Sequence, residues 1–208
     1  FILGSVLGGI AGYHQGRWLD KLATSIAITG ISVPHYWLGM VLVIIFAVEM
    51  NALPAMGMGP GGSSAWAWDP EHLRHLVLPV ITLAVIPMGI VTRTVRASVS
   101  EILNQEFVQT LHSKGLSKGQ VLMHVIKNSA PTVLAVMGLQ LGYLLGGSIL
   151  VETVFSWPGT GYLLNDAIFR RDIPLLQGTI LVLALFFVFL NLIVDILQTV
   201  IDPRMGRG

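Results

Sequence analysis

Cysteine is absent from the 208 residues, and charged residues make up only 11% of them. The absence of cysteine excludes a disulfide framework and thiol chemistry. A soluble domain carries about 25% charged residues, so the scarcity of charge excludes an ordinary soluble protein. With 53% hydrophobic residues, the composition predicts an integral membrane protein. The formal net charge of +1 gives no indication of a nucleic-acid partner.

The sequence also lacks the common signatures of nucleotide-binding and hydrolytic enzymes. No glycine is followed by lysine, so the chain cannot form a Gly-x-x-x-x-Gly-Lys phosphate loop, and the glycine cluster at 57–62 is interpreted as a flexible loop. Neither His-Glu-x-x-His nor Gly-x-Ser-x-Gly occurs, which argues against a zinc protease or a serine hydrolase. His72 and His75 stand three residues apart without further ligands nearby, so no metal site and no cofactor is predicted.

Apolar runs alternate with polar segments along the chain. A helical crossing of a bilayer needs about 20 residues, and this length predicts four spans, at about 22–48, 76–92, 131–151 and 175–200. The apolar run at 1–13 is too short and opens with Phe1 rather than Met, so we expect a truncated chain that lacks one or more N-terminal spans. Residues 1–208 are thus predicted to form one polytopic bundle, with outer segments at about 49–75 and 152–174.

Small and kinking residues predict how the spans pack. Pro34, in the middle of the 22–48 span, removes one backbone hydrogen bond and is expected to kink it. In the second outer segment, a short helix is predicted with an apolar stripe of Leu163, Leu164, Ala167 and Ile168. Glycines at every fourth residue favour close helix–helix approach in lipid, and they form two sets: Gly4, Gly8 and Gly12, then Gly138, Gly142 and Gly146.

Polar residues within the spans are the candidates for a transport pathway. A polar side chain at membrane depth should face protein or a water-filled cavity rather than lipid. Gln140 and Asn191 are predicted on this ground to line a translocation pathway. Asp195 is ionisable, but it lies about two helical turns from the polar end of the chain, so structural pairing is the favoured interpretation.

The long polar interval at about 93–130 predicts two helices with a sharp bend between them. Residues 98–114 are predicted as one helix because their apolar side chains have helical spacing: Ile102, Leu103, Phe107 and Leu111. Gly115 then suits a left-handed C-cap, with Leu116 folding back as its hydrophobic contact. Ser117 and Gln120 stand in capping-box relation and predict that a second helix begins at once. The turn at Gly115 should therefore project away from the membrane.

This interval resembles the coupling loop of ABC-importer permeases, and the dipeptide/oligopeptide branch is the most similar. The usual run in that branch is Tyr-Val-Arg-Thr-Ala-Arg-Ala-Lys-Gly, of which the sequence keeps Val108, Thr110, Lys114 and Gly115. Phe107 replaces the tyrosine. The sequence departs from the run at four positions, which removes two positive charges: Gln109, Leu111, His112 and Ser113. Further resemblances cover nearly the whole chain: Ser32-Val-Pro-His-Tyr-Trp-Leu-Gly39, Gly138-Leu-Gln-Leu-Gly142, Gly147-Ser-Ile-Leu-Val-Glu-Thr-Val-Phe-Ser-Trp-Pro-Gly159 and Asp202-Pro-Arg204.

The resemblance implies a type I ABC-importer permease, an all-α transmembrane bundle with a cytoplasmic coupling helix. It implies as partners two ATP-binding cassette ATPases, a second homologous permease, an extracytoplasmic solute-binding protein and the lipid bilayer. ATP hydrolysis would reside in the ATPases, so the chain is not expected to be an enzyme. Import would proceed by alternating access, with peptides as the favoured cargo, although relatives also move nickel chelates, glutathione and sugars. The ATPases are expected to dock on Phe107, Val108, Thr110, Leu111, His112, Ser113, Lys114, Gly115, Leu116 and Ser117.

Two other functions stay open from the residues alone. A secondary transporter driven by an ion gradient would usually show internal repeats and intramembrane ionisable residues; no repeat is visible and only Asp195 qualifies. An intramembrane enzyme would need a buried catalytic pair, for which His35 has no identified partner.

Basic residues predict the orientation of the chain. Nine lie on the side of the Gly115 turn, and they are Arg17, Lys21, Arg93, Arg96, Lys114, Lys118, Lys127, Arg204 and Arg207. Three lie on the other side: Arg74, Arg170 and Arg171. The positive-inside rule therefore places the coupling loop and the C-terminus in the cytoplasm. The resemblance implies a bacterial or archaeal plasma membrane.

Overall fold

The computed structural model describes residues 1–201, and every regular element among them is helical. The α-helices are α1 Ile2–Tyr13, α2 Trp18–Ser32, α3 His35–Leu42, α4 Pro70–Leu103, α5 Glu106–Ser113, α6 Lys118–Val154, α7 Thr160–Arg170 and α8 Ile173–Ile201. A π-helical segment, Val43–Glu49, continues α3, and a short 3-10 turn, Gly62–Ala65, precedes α4. The protein is therefore an all-α membrane protein, as predicted. The Asp202-Pro-Arg204 run lies outside the described residues.

Helices α4, α6 and α8 are long and apolar enough to cross a membrane. Helix α2 and the helical stretch from His35 to Glu49 qualify together as a fourth span, but they are bent by 101°. The bend falls at Pro34, which has no N–H to donate and whose ring disfavours a helical residue before it. The kink expected at Pro34 is confirmed, and it is a complete break. The apolar stretches at 76–92 and 131–151 form only part of α4 and α6.

The chain divides into two compact units, each with its own core. The first contains Phe1–Ser32, Ile86–Gln140 and α8 from Phe189 onward. In this unit α1 packs on α4 through its glycines. A Cβ on Gly4, Gly8 or Gly12 would lie 2.8, 2.5 or 2.8 Å from successive carbonyl oxygens of α4, those of Met88, Thr92 and Arg96. The close approach predicted from the four-residue spacing is confirmed for α1, because no side chain fits between the two backbones.

The second unit contains Val33–Val85 and Leu141–Val188. Its core is formed by Leu78, Val151 and Phe155, all nearly inaccessible to solvent. Gly39 of α3 packs against the ring of Phe155, where a Cβ would lie 3.2 Å from Cε2. The backbone N–H of Gly57 donates to the carbonyl of Phe155 at 2.8 Å, which fastens the outer loop to the end of α6.

Two histidines of the outer segment stabilise the start of α4. The carboxylate of Asp69 accepts a hydrogen bond from the backbone N–H of His72 at 2.8 Å, and the ring Nδ1 of His72 lies 2.7 Å from Asp69 Oδ2. The backbone hydrogen bond, followed by the ring contact, lowers the pKa of Asp69. The Nδ1 of His75 lies 3.1 Å from the carbonyl oxygen of Met56. Across residues 1–201 no cluster of His, Asp or Glu could hold a metal ion.

Helix α7 buries part of the predicted apolar stripe together with a glycine. Gly161, Leu164 and Ala167 are buried, whereas Leu163 and Ile168 are exposed. Leu163 and Ile168 thus form the exposed part of the predicted stripe, and Leu164 and Ala167 its buried part. The physical reason is Gly161, where a Cβ would lie 2.6 Å from the Cα of Ile149. Only glycine permits this approach, so the row that contains it faces inward.

Candidate functional site: the helical turn at Gly115

A two-residue break separates α4 from α5, so the single helix predicted over 98–114 is wrong. The backbone N–H of Asn104 donates to the carbonyl of Glu101, and that of Gln105 to the carbonyl of Ile102. Gln105 is extended, with φ −78° and ψ 148°, and α5 therefore begins in a new direction. The Asn104 side chain also donates to the carbonyl four residues back, at 2.8 Å, and so competes with continued helix.

Helix α5 ends in the left-handed cap predicted at Gly115. The φ of Gly115 is +80°, a region that glycine enters without steric penalty. The N–H of Leu116 donates to the carbonyl of Leu111 at 3.2 Å, and the N–H of Gly115 donates to the carbonyl of His112 at 2.9 Å. These two bonds form a Schellman motif. Leu111 and Leu116 both pack on the core below, which supplies the hydrophobic contact that accompanies the motif.

The start of α6 carries the predicted capping box. The backbone N–H of Ser117 donates to Oε1 of Gln120 at 2.9 Å, and the N–H of Gln120 donates to the Ser117 hydroxyl oxygen at 3.4 Å. The reciprocal pair satisfies two N–H groups that would otherwise lack partners at the helix end. Helix α6 therefore begins at Lys118, three residues after Gly115, and the prediction is confirmed.

The ten residues expected to dock the ATPases fall into two groups. Val108 is buried and three others are half-buried, and these four face the core: Phe107, Val108, Leu111 and Leu116. The other six are exposed: Thr110, His112, Ser113, Lys114, Gly115 and Ser117. The structure thus brings all ten together on one short segment, and six of them are exposed there. Their exposed face is polar and includes the Lys114 cation.

The inward face of α5 rests on the ends of both neighbouring long helices. The buried cluster comprises Val91, Val95, Val99 and Ile102 of α4, Val108 of α5, and Val121 and Val125 of α6. Fully burying one aliphatic side chain of this size contributes about 1.5–3 kcal/mol. An eight-residue helix is not stable alone in water, so the position of α5 is set by this shared seat on α4 and α6.

An ion pair that sequence reasoning missed joins α2 to α4 in the same unit. The guanidinium of Arg96 donates from Nε to Asp20 Oδ1 at 2.7 Å and from its Nη2 to Oδ2 at 2.8 Å. Asp20 is only 3% exposed, and it also accepts from the Gly16 N–H and the Thr24 hydroxyl. In the sequence, this pair is visible only as a carboxylate beside an apolar run and an arginine 76 residues later. Neither residue indicates that the other is its partner.

The two residues predicted for a translocation pathway lie on different helices of the first unit. Gln140 on α6 is half-buried, and its Oε1 is buried without a hydrogen-bond partner among the described residues. Asn191 on α8 is also half-buried. The two helices are in contact nearby, because Gly138 approaches Val194, where a Cβ would lie 3.0 Å from Cγ1. Asp195 is exposed. The role of Gln140 and Asn191 in a pathway stays a prediction.

These features define a class of protein, an all-helical membrane component. Its long helices α4 and α6 are linked by a short helix whose inner face packs on both and whose outer face is polar and exposed. The chain belongs to the family described as "Binding-protein-dependent transport system inner membrane component", which matches residues 4–207. The family is that of the type I ABC-importer permeases, so the resemblance read from the coupling loop is confirmed.

Named relatives agree with the family. The chain is 40% identical over 221 residues to the "Dipeptide transport system permease protein DppB" of Alkalihalophilus pseudofirmus, covering 98% of this chain and 66% of that protein. It is also 40% identical over 205 residues to the "Glutathione transport system permease protein GsiC" of Escherichia coli (strain K12), covering 98% of this chain and 63% of that protein. The chain thus spans just under two thirds of the length of these relatives.

Proposed function

We propose that this chain is the permease subunit of an ATP-driven, binding-protein-dependent importer, with peptides as the substrate class. The observation that carries the proposal is the geometry of α5, whose inner face is shared between α4 and α6 while its outer face is polar and exposed. Family membership and the printed names of the peptide and glutathione relatives support it.

In the proposed mechanism, each of two ATPase subunits docks on the exposed face of one coupling helix. Closure of the ATPases on ATP displaces α5, and the shared core passes the displacement to α4 and α6. The bundle then changes from inward-open to outward-open. To move such an equilibrium from 1:99 to 99:1, ATP must favour one state by about 5.5 kcal/mol. The ATPases supply this energy, and the permease carries no catalytic role.

The remaining partners follow from the same proposal. A second permease completes the pathway, and a solute-binding protein delivers substrate from outside. The coupling helix and the C-terminus face the cytoplasm of a bacterial or archaeal cell, a proposal supported by the nine-to-three distribution of basic residues. Gln140 and Asn191 are proposed to line the pathway, supported by the buried, unpartnered Oε1 of Gln140.

The test replaces Gly115 by tryptophan in the full-length protein, with Gly16→Trp as the matched control. Both glycines are exposed, have φ near +80°, and have no atom within 4 Å of an added Cβ. Both variants therefore carry the same left-handed strain of about 1–2 kcal/mol. Only Gly115→Trp places its ring on the docking face.

We expect Gly115→Trp to insert into membranes normally but to lose both peptide uptake and co-purification of the ATPases, whereas Gly16→Trp keeps both. Uptake that survives in Gly115→Trp, or is lost equally in both variants, would contradict the coupling role. Uptake that stops when the proton gradient is collapsed at constant ATP would instead favour a secondary transporter.

A further inference from the structure

A groove of about 490 Å³ lies between α2 and α4 in the first unit, and it takes no part in the proposed coupling. One end of the groove is apolar, with Ile28 and Ile31 of α2 facing Ile90 of α4. The other end is polar and basic. It is lined by Thr24 of α2 and by Arg93, Thr94 and Arg96 of α4.

The two walls become polar in the same direction because α2 and α4 pack antiparallel. At the apolar end Gly89 approaches Ala27, where a Cβ would lie 2.6 Å from the carbonyl oxygen of Ala27. At the polar end Asp20 holds Arg96 at 2.7 Å. From Ile31 back to Thr24, α2 rises by about 10 Å. Over that distance the groove changes from hydrocarbon to basic surface.

Charge is unbalanced only at the polar end. Asp20 neutralises Arg96 through two hydrogen bonds. Arg93 is exposed and has no hydrogen bond or ion pair with any residue of the described range 1–201. Lys21 is exposed as well and stands three residues before Thr24, on the same face of α2. The mouth of the groove therefore carries positive charge that no residue of the described range compensates.

We propose that this groove binds one anionic phospholipid. Arg93 pairs with the phosphate, the hydroxyl of Thr94 donates to one of its oxygens, and an acyl chain lies along Ile28 and Ile31. A basic pocket between transmembrane helices suits an anionic headgroup, and a guanidinium presents a planar donor pair to a phosphate. Lipid is favoured over a protein segment because both walls change from apolar to basic along one membrane-spanning direction.

The first experiment is native mass spectrometry of the full-length protein, delipidated and titrated with phosphatidylglycerol or with phosphatidylethanolamine of the same acyl chains. We expect the first bound lipid to be phosphatidylglycerol by preference. Arg93→Gln should weaken that binding by about five-fold, because one basic residue near the headgroup contributes about that factor. Arg93→Lys should keep most of the preference.

The matched control is Lys127→Gln, which removes an exposed cation of α6 that does not line the groove. Lys127→Gln should leave the affinity for phosphatidylglycerol unchanged. An unaltered affinity in Arg93→Gln, or an equal loss in Lys127→Gln, would overturn the site in favour of diffuse attraction to the surface.

A second experiment tests the occupant in the assembled complex. A photoreactive amino acid in place of Thr94 is irradiated in native membranes, and the adduct is identified by mass. A phospholipid adduct supports the proposal. An adduct with a polypeptide would overturn it and show that a partner subunit occupies the groove.

Discussion

Truncation of Val108 is predicted to loosen α5 without unfolding the protein. Val108 is 3% exposed and is the only residue of α5 that is fully buried. Val108→Ala removes two methyl-sized groups at about 0.8 kcal/mol each and leaves a small cavity, for a total of about 2 kcal/mol. Because α5 has only eight residues and depends on its seat, this loss falls on the local free energy of holding α5 in place.

The measurement is amide hydrogen exchange of the full-length protein in nanodiscs, followed by mass spectrometry. A loss of about 2 kcal/mol corresponds to about 30-fold faster exchange of the α5 amides. Amides in the middle of α4 and α6 should exchange as in the unaltered protein. In the proposed mechanism peptide uptake should fall in parallel, since a loosely held α5 cannot pass its displacement to those helices.

The control is Thr110→Ala, which deletes a side chain of the same shape from the exposed face of the same helix. It should leave exchange of the α5 amides unchanged or slightly slower, because alanine has the higher helix propensity. The reasoning is refuted if Val108→Ala leaves α5 exchange unchanged, or if Thr110→Ala accelerates it equally.

Three further predictions concern the packing and the pathway. Arg96→Gln should lower stability by about 3 kcal/mol, because it leaves the buried carboxylate of Asp20 without its cation; the melting temperature in detergent measures this, and adding Asp20→Asn should restore part of it. Gly8→Ala should lower the melting temperature, because the new Cβ would lie 2.5 Å from a carbonyl of α4, whereas Gly9→Ala, with no atom within 4 Å, should not. Gln140→Leu should alter which peptides are taken up, since it removes the buried, unpartnered amide oxygen; competition among labelled peptides measures the profile.

Each of these predictions has a clear contrary result. If adding Asp20→Asn does not restore stability to Arg96→Gln, the loss of stability does not come from leaving the Asp20 carboxylate unpaired. Equal melting temperatures for Gly8→Ala and Gly9→Ala would mean that α1 does not pack on α4 through its backbone. An unchanged uptake profile in Gln140→Leu would return that residue to a packing role.

Local signals in the sequence were enough to predict the Gly115 turn. A Schellman cap and a capping box each depend on residues within a few positions of one another, so glycine at 115 and the Ser117–Gln120 spacing specify the geometry without reference to the rest of the fold. The glycine repeat of α1 was informative for a similar reason, because only small residues at one-turn spacing permit backbone contact.

Features that depend on distant partners were not predictable in this way. The Asp20–Arg96 pair joins residues 76 positions apart, and each taken alone looks like an ordinary charge at a span end. The break at Asn104 was missed because apolar spacing continued through it, and the decisive factor was the shared core below α5. The inward row of α7 was likewise set by Gly161 against Ile149, a contact visible only in three dimensions.

The buried cluster shared by α4, α5 and α6 has one further property, the branched shape of its side chains. All seven buried members of the cluster are branched at Cβ, six being valine and one isoleucine. Such side chains have essentially one χ1 rotamer in a helix, so they cannot absorb a shift of α5 by changing conformation as leucine or methionine would. These seven side chains therefore make the contact of α5 with α4 and α6 stiffer than one formed by leucine or methionine would be.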